Sequence, residues 1–181
     1  MALTKTVPFL WITAVLLVAA ISDLRWRKIP NWLTYPTMIA AIIYHASRSG
    51  LTGGLFSLEG IALGTALLII PYLMGGMGAG DVKLLGAVGG LVGPQGVFLA
   101  FLFSAIVGGI YALVLLAFHG YFKETALRYW TILRSLILSR KIMYIPAPEK
   151  MNKHHLLYGL AIALGTFLSF SLRGFLDKAL L

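Results

Sequence analysis

From Leu84 to Phe118 the sequence carries no charged residue, and that run limits the fold more than any other feature. As one straight helix it would reach about 52 Å at about 1.5 Å per residue, against about 30 Å for the hydrocarbon core of a bilayer. The run must therefore turn back on itself, and "GPQG" at 93–96 is the only good turn signal inside it. The rest of the chain has the same character. Of 181 residues, 59% are hydrophobic and 12% charged, an apolar excess that a soluble domain of this size does not need for its core. The expectation is an all-α, polytopic membrane protein.

Apolar runs and the loops between them predict six spans, at about 7–22, 32–47, 55–74, 81–93, 96–118 and 155–172, in a single membrane domain over 1–181. A cleaved signal peptide is the alternative reading of the first span, since Lys5 precedes an apolar stretch that ends in small residues. With alternating spans, most of the 15 Lys and Arg residues fall on one side, among them Arg25, Arg27, Lys28 and Lys83; Lys5, Arg48, Arg173 and Lys178 fall on the other. The positive-inside bias then places the basic loops in the cytoplasm and both termini outside it. Topology accounts for the net charge of +9 without nucleic acid. Between about 120 and 154, Leu127, Trp130, Leu133, Leu136 and Ile137 recur at helical spacing among basic residues. That pattern predicts an amphipathic segment on the cytoplasmic leaflet, with anionic lipid as its simplest partner.

The chain has no cysteine, which excludes disulfides, thiolate metal sites and thiol nucleophiles, so any chemistry must come from oxygen, histidine or lysine. Only six residues are acidic. Asp23 ends the first span and Asp81 begins the fourth, both on the predicted cytoplasmic side. Each alone reads as an interfacial or helix-capping residue. Together they permit more. Two carboxylates held close share a proton, so that one can activate water while the other polarises a peptide carbonyl. Around Asp81, Gly75, Gly76, Gly78 and Gly80 are expected to permit positive φ and close approach of a peptide backbone. Gly86 and Gly90 carry the spacing of small-residue helix packing.

"GAGD" at 78–81 followed by "VKLLGAVGG", together with Asp23 followed by "LRWRKIPNWL" and "YGLAIALG" at 158–165, resembles the type IV prepilin peptidases, membrane aspartic proteases with a GxGD signature. The resemblance extends over nearly the whole chain. It implies that Asp23 and Asp81 are a catalytic pair facing the cytoplasm, with no cofactor and no metal. It also implies a substrate: prepilins or prepilin-like proteins with a short basic leader before an apolar helix. Long members of the family carry a cysteine-containing methyltransferase domain that is not seen here. Leader cleavage without methylation is therefore expected, as in the short forms associated with Flp-type pili; an archaeal preflagellin-type substrate is the alternative.

Lys83 can pair with Asp81 or with an acidic group on the substrate, or extend to the headgroups. Ile29, Pro30 and Asn31 read as the start of the second helix. Tyr158 and Gly159 match the motif of the last span and are expected to pack close to the site, with contact to the substrate backbone as the lesser alternative. His154 and His155, adjacent in sequence, do not face one metal together. Glu59 is expected near the outer headgroups. Two rival functions stand beside this reading: a small transporter or proton channel using the same aspartates, and a noncatalytic pilus-assembly membrane subunit, in which either aspartate would tolerate asparagine. The sequence leaves the oligomeric state open.

Overall fold

The computed structural model describes residues 3–74, 76–119 and 158–179. Among the described residues all regular structure is helical: α1 (Leu3–Trp26), α2 (Asn31–Leu73), α3 (Ala79–His119) and α4 (Tyr158–Ala179). The chain forms two compact units, residues 1–108 with 157–181, and residues 109–156. Both aspartates belong to the first. The amphipathic segment expected at 120–154, with His154 and His155, lies outside the described residues.

Helices α2 and α3 are long and apolar enough to cross a membrane, and each is broken once. In α2 the break falls at Ser49 and Gly50, where Gly50 takes φ +60°. A Cβ placed on Gly53 would run into the carbonyl of His45, and one on Gly54 would stand 3.7 Å from the Cβ of Ala46. Residues eight apart in a straight helix are about 12 Å apart, so the two halves of α2 fold back against each other. The helix resumes at Leu51 rather than near 55 as expected, because the left-handed glycine turns the chain without a longer loop.

The predicted turn in the charge-free run is present. Gly93 has φ +74°, and Pro94 follows it, proline being suited to a first helical position. A Cβ on Gly64 would stand 2.5 Å from the carbonyl oxygen of Leu85 and 3.0 Å from Cγ2 of Val97. Twelve residues of straight helix would separate Leu85 from Val97 by about 18 Å, so α3 also folds back.

Close packing follows from small residues. Gly60 and Gly89 bring the backbones of α2 and α3 together so tightly that a Cβ on either would meet the other's carbonyl. Gly86 and Gly90 share this seam, with a Cβ at Gly86 only 2.8 Å from Thr65 Oγ1. Buried Ser57 donates its hydroxyl to the carbonyl of Gly90 at 2.9 Å, and His45 Nε2, bonding the carbonyl of Leu91 at 3.1 Å, must carry its proton there. Helix α1 is integral to this body: Ile12, Val15, Leu16 and Ala19 are buried in the core with Leu84, Leu85 and Ile162. Glu59 is exposed.

Candidate active site

The end of α1 is fixed by its backbone. Arg27 adopts φ +53°, a left-handed conformation that ends helices and is usually left to glycine, while its N–H still bonds the carbonyl of Asp23 at 2.9 Å. Ser22 donates its hydroxyl to the carbonyl of Lys28 at 2.6 Å, folding the short connector back over the helix end. Pro30 is extended, and α2 begins at Asn31. Asp23 is thereby held in the last turn of α1 and is only 7% exposed.

Asp81 is held in the first turn of α3. Its Oδ2 accepts the N–H of Gly78 at 3.1 Å, and its own N–H donates to the carbonyl of Gly78 at 3.1 Å. This is a capping-box arrangement with aspartate at the third helical position. Only 8% of Asp81 is exposed.

Asp23 meets a second helix start. The N–H groups of Gly159 and Leu160, at the head of α4, are directed at its carboxylate. Both acidic groups are therefore at helix N-termini, where unpaired N–H groups favour negative charge. One oxygen, Asp23 Oδ2, is buried without a hydrogen-bond partner among the described residues. Gly159 allows this approach: a Cβ there would stand 2.8 Å from Asp23 Oδ2 and 2.9 Å from Ile29 Cδ1.

Asp23 and Asp81 line one cavity of ≈ 240 Å³, together with Arg27, Lys28, Ile29 and the Gly78–Gly80 segment. They are close enough for their charges to interact, and Asp81 and Tyr158 are likewise. Of the residues singled out in sequence, Gly78, Gly80 and Gly159 thus stand at the carboxylates. Tyr158 is half-buried at the head of α4, where a Cβ on Gly108 would lie 3.0 Å from its ring. Lys83, at the start of α3, meets residues of α2. Its ammonium donates to Asn31 Oδ1 at 2.9 Å and lies 5.0 Å from the centroid of Tyr35, which ties the start of α3 to the start of α2.

The expectation for the glycine loop needs correction. Neither Gly76, Gly78 nor Gly80 has positive φ, and Gly75 lies outside the described residues; among the described glycines that conformation belongs to Gly50 and Gly93. Gly80 matters for space instead, since a Cβ there would be 3.0 Å from that of Ile29. Ile29, read from the sequence only as part of the start of α2, also stands at the site. Buried to 8% exposure, it is the neighbour that a Cβ on Gly80, beside Asp81, and a Cβ on Gly159, beside Asp23, would both meet. Ile29 follows Asp23 by six positions, and the bond from Ser22 to the carbonyl of Lys28 turns the connector back toward the helix end, which no local pattern in the sequence announces.

The chain matches the Type IV leader peptidase family over residues 10–113. It is 32% identical over 117 residues to the prepilin leader peptidase/N-methyltransferase of Vibrio cholerae, an alignment covering 59% of this chain and 42% of the other. The protein of that name from Bacillus subtilis is 29% identical over 101 residues (54% and 40%), and that from Xanthomonas campestris 32% over 96 residues (49% and 33%). The chain spans less than half the length of these relatives. No solved structure matches it.

Proposed function

Because this chain belongs to the type IV leader peptidase family, we propose that it is a membrane aspartic endopeptidase that removes the leader from prepilins or prepilin-like proteins, with Asp23 and Asp81 as the catalytic pair. The observation that carries this reading is the single cavity shared by two buried carboxylates from distant parts of the sequence. Interacting carboxylates in a poorly solvated site hold one proton between them. The ionised member takes a proton from water as the water oxygen bonds to the scissile carbonyl carbon. The protonated member donates a hydrogen bond to the carbonyl oxygen. Collapse of the tetrahedral intermediate breaks the C–N bond, and the departing nitrogen takes a proton from the pair. Asp23 Oδ2, which has no hydrogen-bond donor among the described residues, is the oxygen at which the shared proton or the attacking water is held. Gly78, Gly80 and Gly159 keep side chains out of the space that a peptide backbone needs.

In this proposal residues 1–181 act as one membrane domain that crosses the bilayer six times, each broken helix supplying two crossings. Arg25, Arg27, Lys28 and Lys83 put the carboxylate end at the cytoplasmic face, with both termini outside. Flp-type prepilins are the first substrates to try, and membrane lipid is the other partner.

The test is to incubate the purified protein with candidate prepilins in liposomes, beside Asp23→Asn and Asp81→Asn, and to sequence the new N-terminus. Cleavage at the leader boundary, reduced by about 10²-fold or more in each variant, is the expected result. Variants that cleave like wild type would overturn the assignment.

A further inference from the structure

Helix α1 packs along α4 but touches α2 only sparsely. The space left between α1 and α2 is a groove in two connected parts. The part nearer the carboxylates, ≈ 670 Å³, includes Ile21, Ser22, Trp26, Lys28 and Asn31 in its walls. The deeper part, ≈ 330 Å³, includes Trp11, Ala14, Pro36 and Ala40. Val18 and Trp32 line both. Lys28 and Ile29 line both the groove and the carboxylate cavity.

We propose that this α1–α2 groove is the binding site for an apolar helix of the substrate, the stretch of chain adjoining the scissile bond on its membrane side. The inference rests on the proteolytic reading of Asp23 and Asp81. Three features fix the occupant. The groove adjoins the carboxylate cavity at Lys28 and Ile29, so a chain lying in it ends beside a peptide lying over the carboxylates. Its polarity changes along its length: Ser22, Lys28 and Asn31 are all at the carboxylate end, and the deep end is apolar apart from Thr37. A peptide that passes from a polar cleavage site into an apolar helix has the same gradient. Thirdly, the length suits a helix, since Trp26 to Trp11 on one wall and Asn31 to Ala40 on the other correspond to about 22 Å and about 14 Å. Trp26 and Trp32, 61% and 67% exposed, flank the mouth, and tryptophan favours the headgroup level where such a peptide would leave water.

The cysteine-free sequence makes the test direct. Single variants Val18→Cys and Ala40→Cys in the groove, and Leu58→Cys on an exposed part of α2 away from it, are placed in vesicles of phosphatidylethanolamine and phosphatidylglycerol. The probe is a synthetic prepilin segment with a basic leader, an apolar helix of about 20 residues, and one cysteine two turns beyond the scissile bond. Oxidation is expected to give disulfide-linked product at Val18→Cys or Ala40→Cys in at least about tenfold greater yield than at Leu58→Cys. Equal yields, or product only at Leu58→Cys, would overturn the groove.

A filling variant gives the second readout. Ala40→Trp is expected to raise KM for the full segment about tenfold, with kcat retained, and to leave cleavage of a short peptide lacking the helix unchanged. Equal slowing of both would make the groove merely structural and refute the proposal. Cleavage by the single-cysteine variants without any cross-link defeats the groove alone. Cross-linking in the groove without cleavage supports the groove as a peptide site and defeats the peptidase reading.

Discussion

The seam between α2 and α3 and the face between α1 and α2 are built on opposite principles. Along the seam, Gly60 meets Gly89, Gly64 meets the backbone at Leu85, and Ser57 spans to the carbonyl of Gly90, so that two helices touch main chain to main chain. Across the other face, Val18, Ile21 and Trp32 stay 39%, 58% and 67% exposed. In lipid, helices gain little from burying apolar side chains against one another, because the solvent is equally apolar, so tight association depends on small residues and shape. The glycine seam therefore supplies rigidity. The face without glycines stays open, and Asp23 stands where it meets the rest of the protein.

The sharpest way to break this contrast is Gly89→Leu. Its side chain has no space against Gly60, and the expected cost is roughly 3 kcal/mol or more, seen as loss of the folded protein in a thermal melt in detergent. A stable Gly89→Leu protein would mean that the seam is looser than it looks. Next in size is Gly159→Ala, whose Cβ would crowd Asp23 Oδ2 and Ile29 Cδ1. Displacing a reacting group by a fraction of an ångström to an ångström costs about 10²-fold in kcat, so cleavage should fall by that order while the melting temperature changes far less than for Gly89→Leu. A parallel loss of stability and activity would place Gly159 in the seam's class of residue instead of the site's.

Smaller effects sharpen the boundary between scaffold and site. Lys83→Met and Asn31→Ala each remove the same 2.9 Å hydrogen bond. Kinetic measurements on the two single variants and the double variant should reveal a coupling of about 1 kcal/mol, with the double variant no worse than either single one. Strict additivity would show that the bond does not position Asp81. Gly50→Ala is expected to be mildest for activity. Nothing lies within 4 Å of its Cβ position, but φ +60° with ψ −141° is backbone that side-chain-bearing residues rarely adopt, so the strain should cost about 1–3 kcal/mol, read in the melt, with cleavage unchanged.

Much of this architecture was legible in one dimension. The charge-free run from Leu84 to Phe118 required a reversal, "GPQG" located it, and Gly93 makes it. The six acidic residues left few candidates for chemistry, and the pattern around Asp23 and Asp81 pointed to the family that the comparison identifies. Other features depend on neighbours distant in sequence. The sequence shows that Lys83 is charged and close to Asp81, but not that Asn31, 52 residues away, would take its ammonium. It shows glycines beside Asp81, yet their φ values are ordinary, and the one that matters most for space faces Ile29 from another part of the chain.

What the sequence by itself determined is the class of solvent, the helical architecture and the short set of groups capable of chemistry, because hydropathy, charge and turn preference are properties of local stretches. Only the tertiary structure decided that Asp23 and Asp81 share a cavity, that Gly159 admits the Asp23 carboxylate to the start of α4, and that α1 and α2 stand apart beside it. Those are separations between residues remote along the chain, and they follow from how side-chain volumes fill space once the helices have packed.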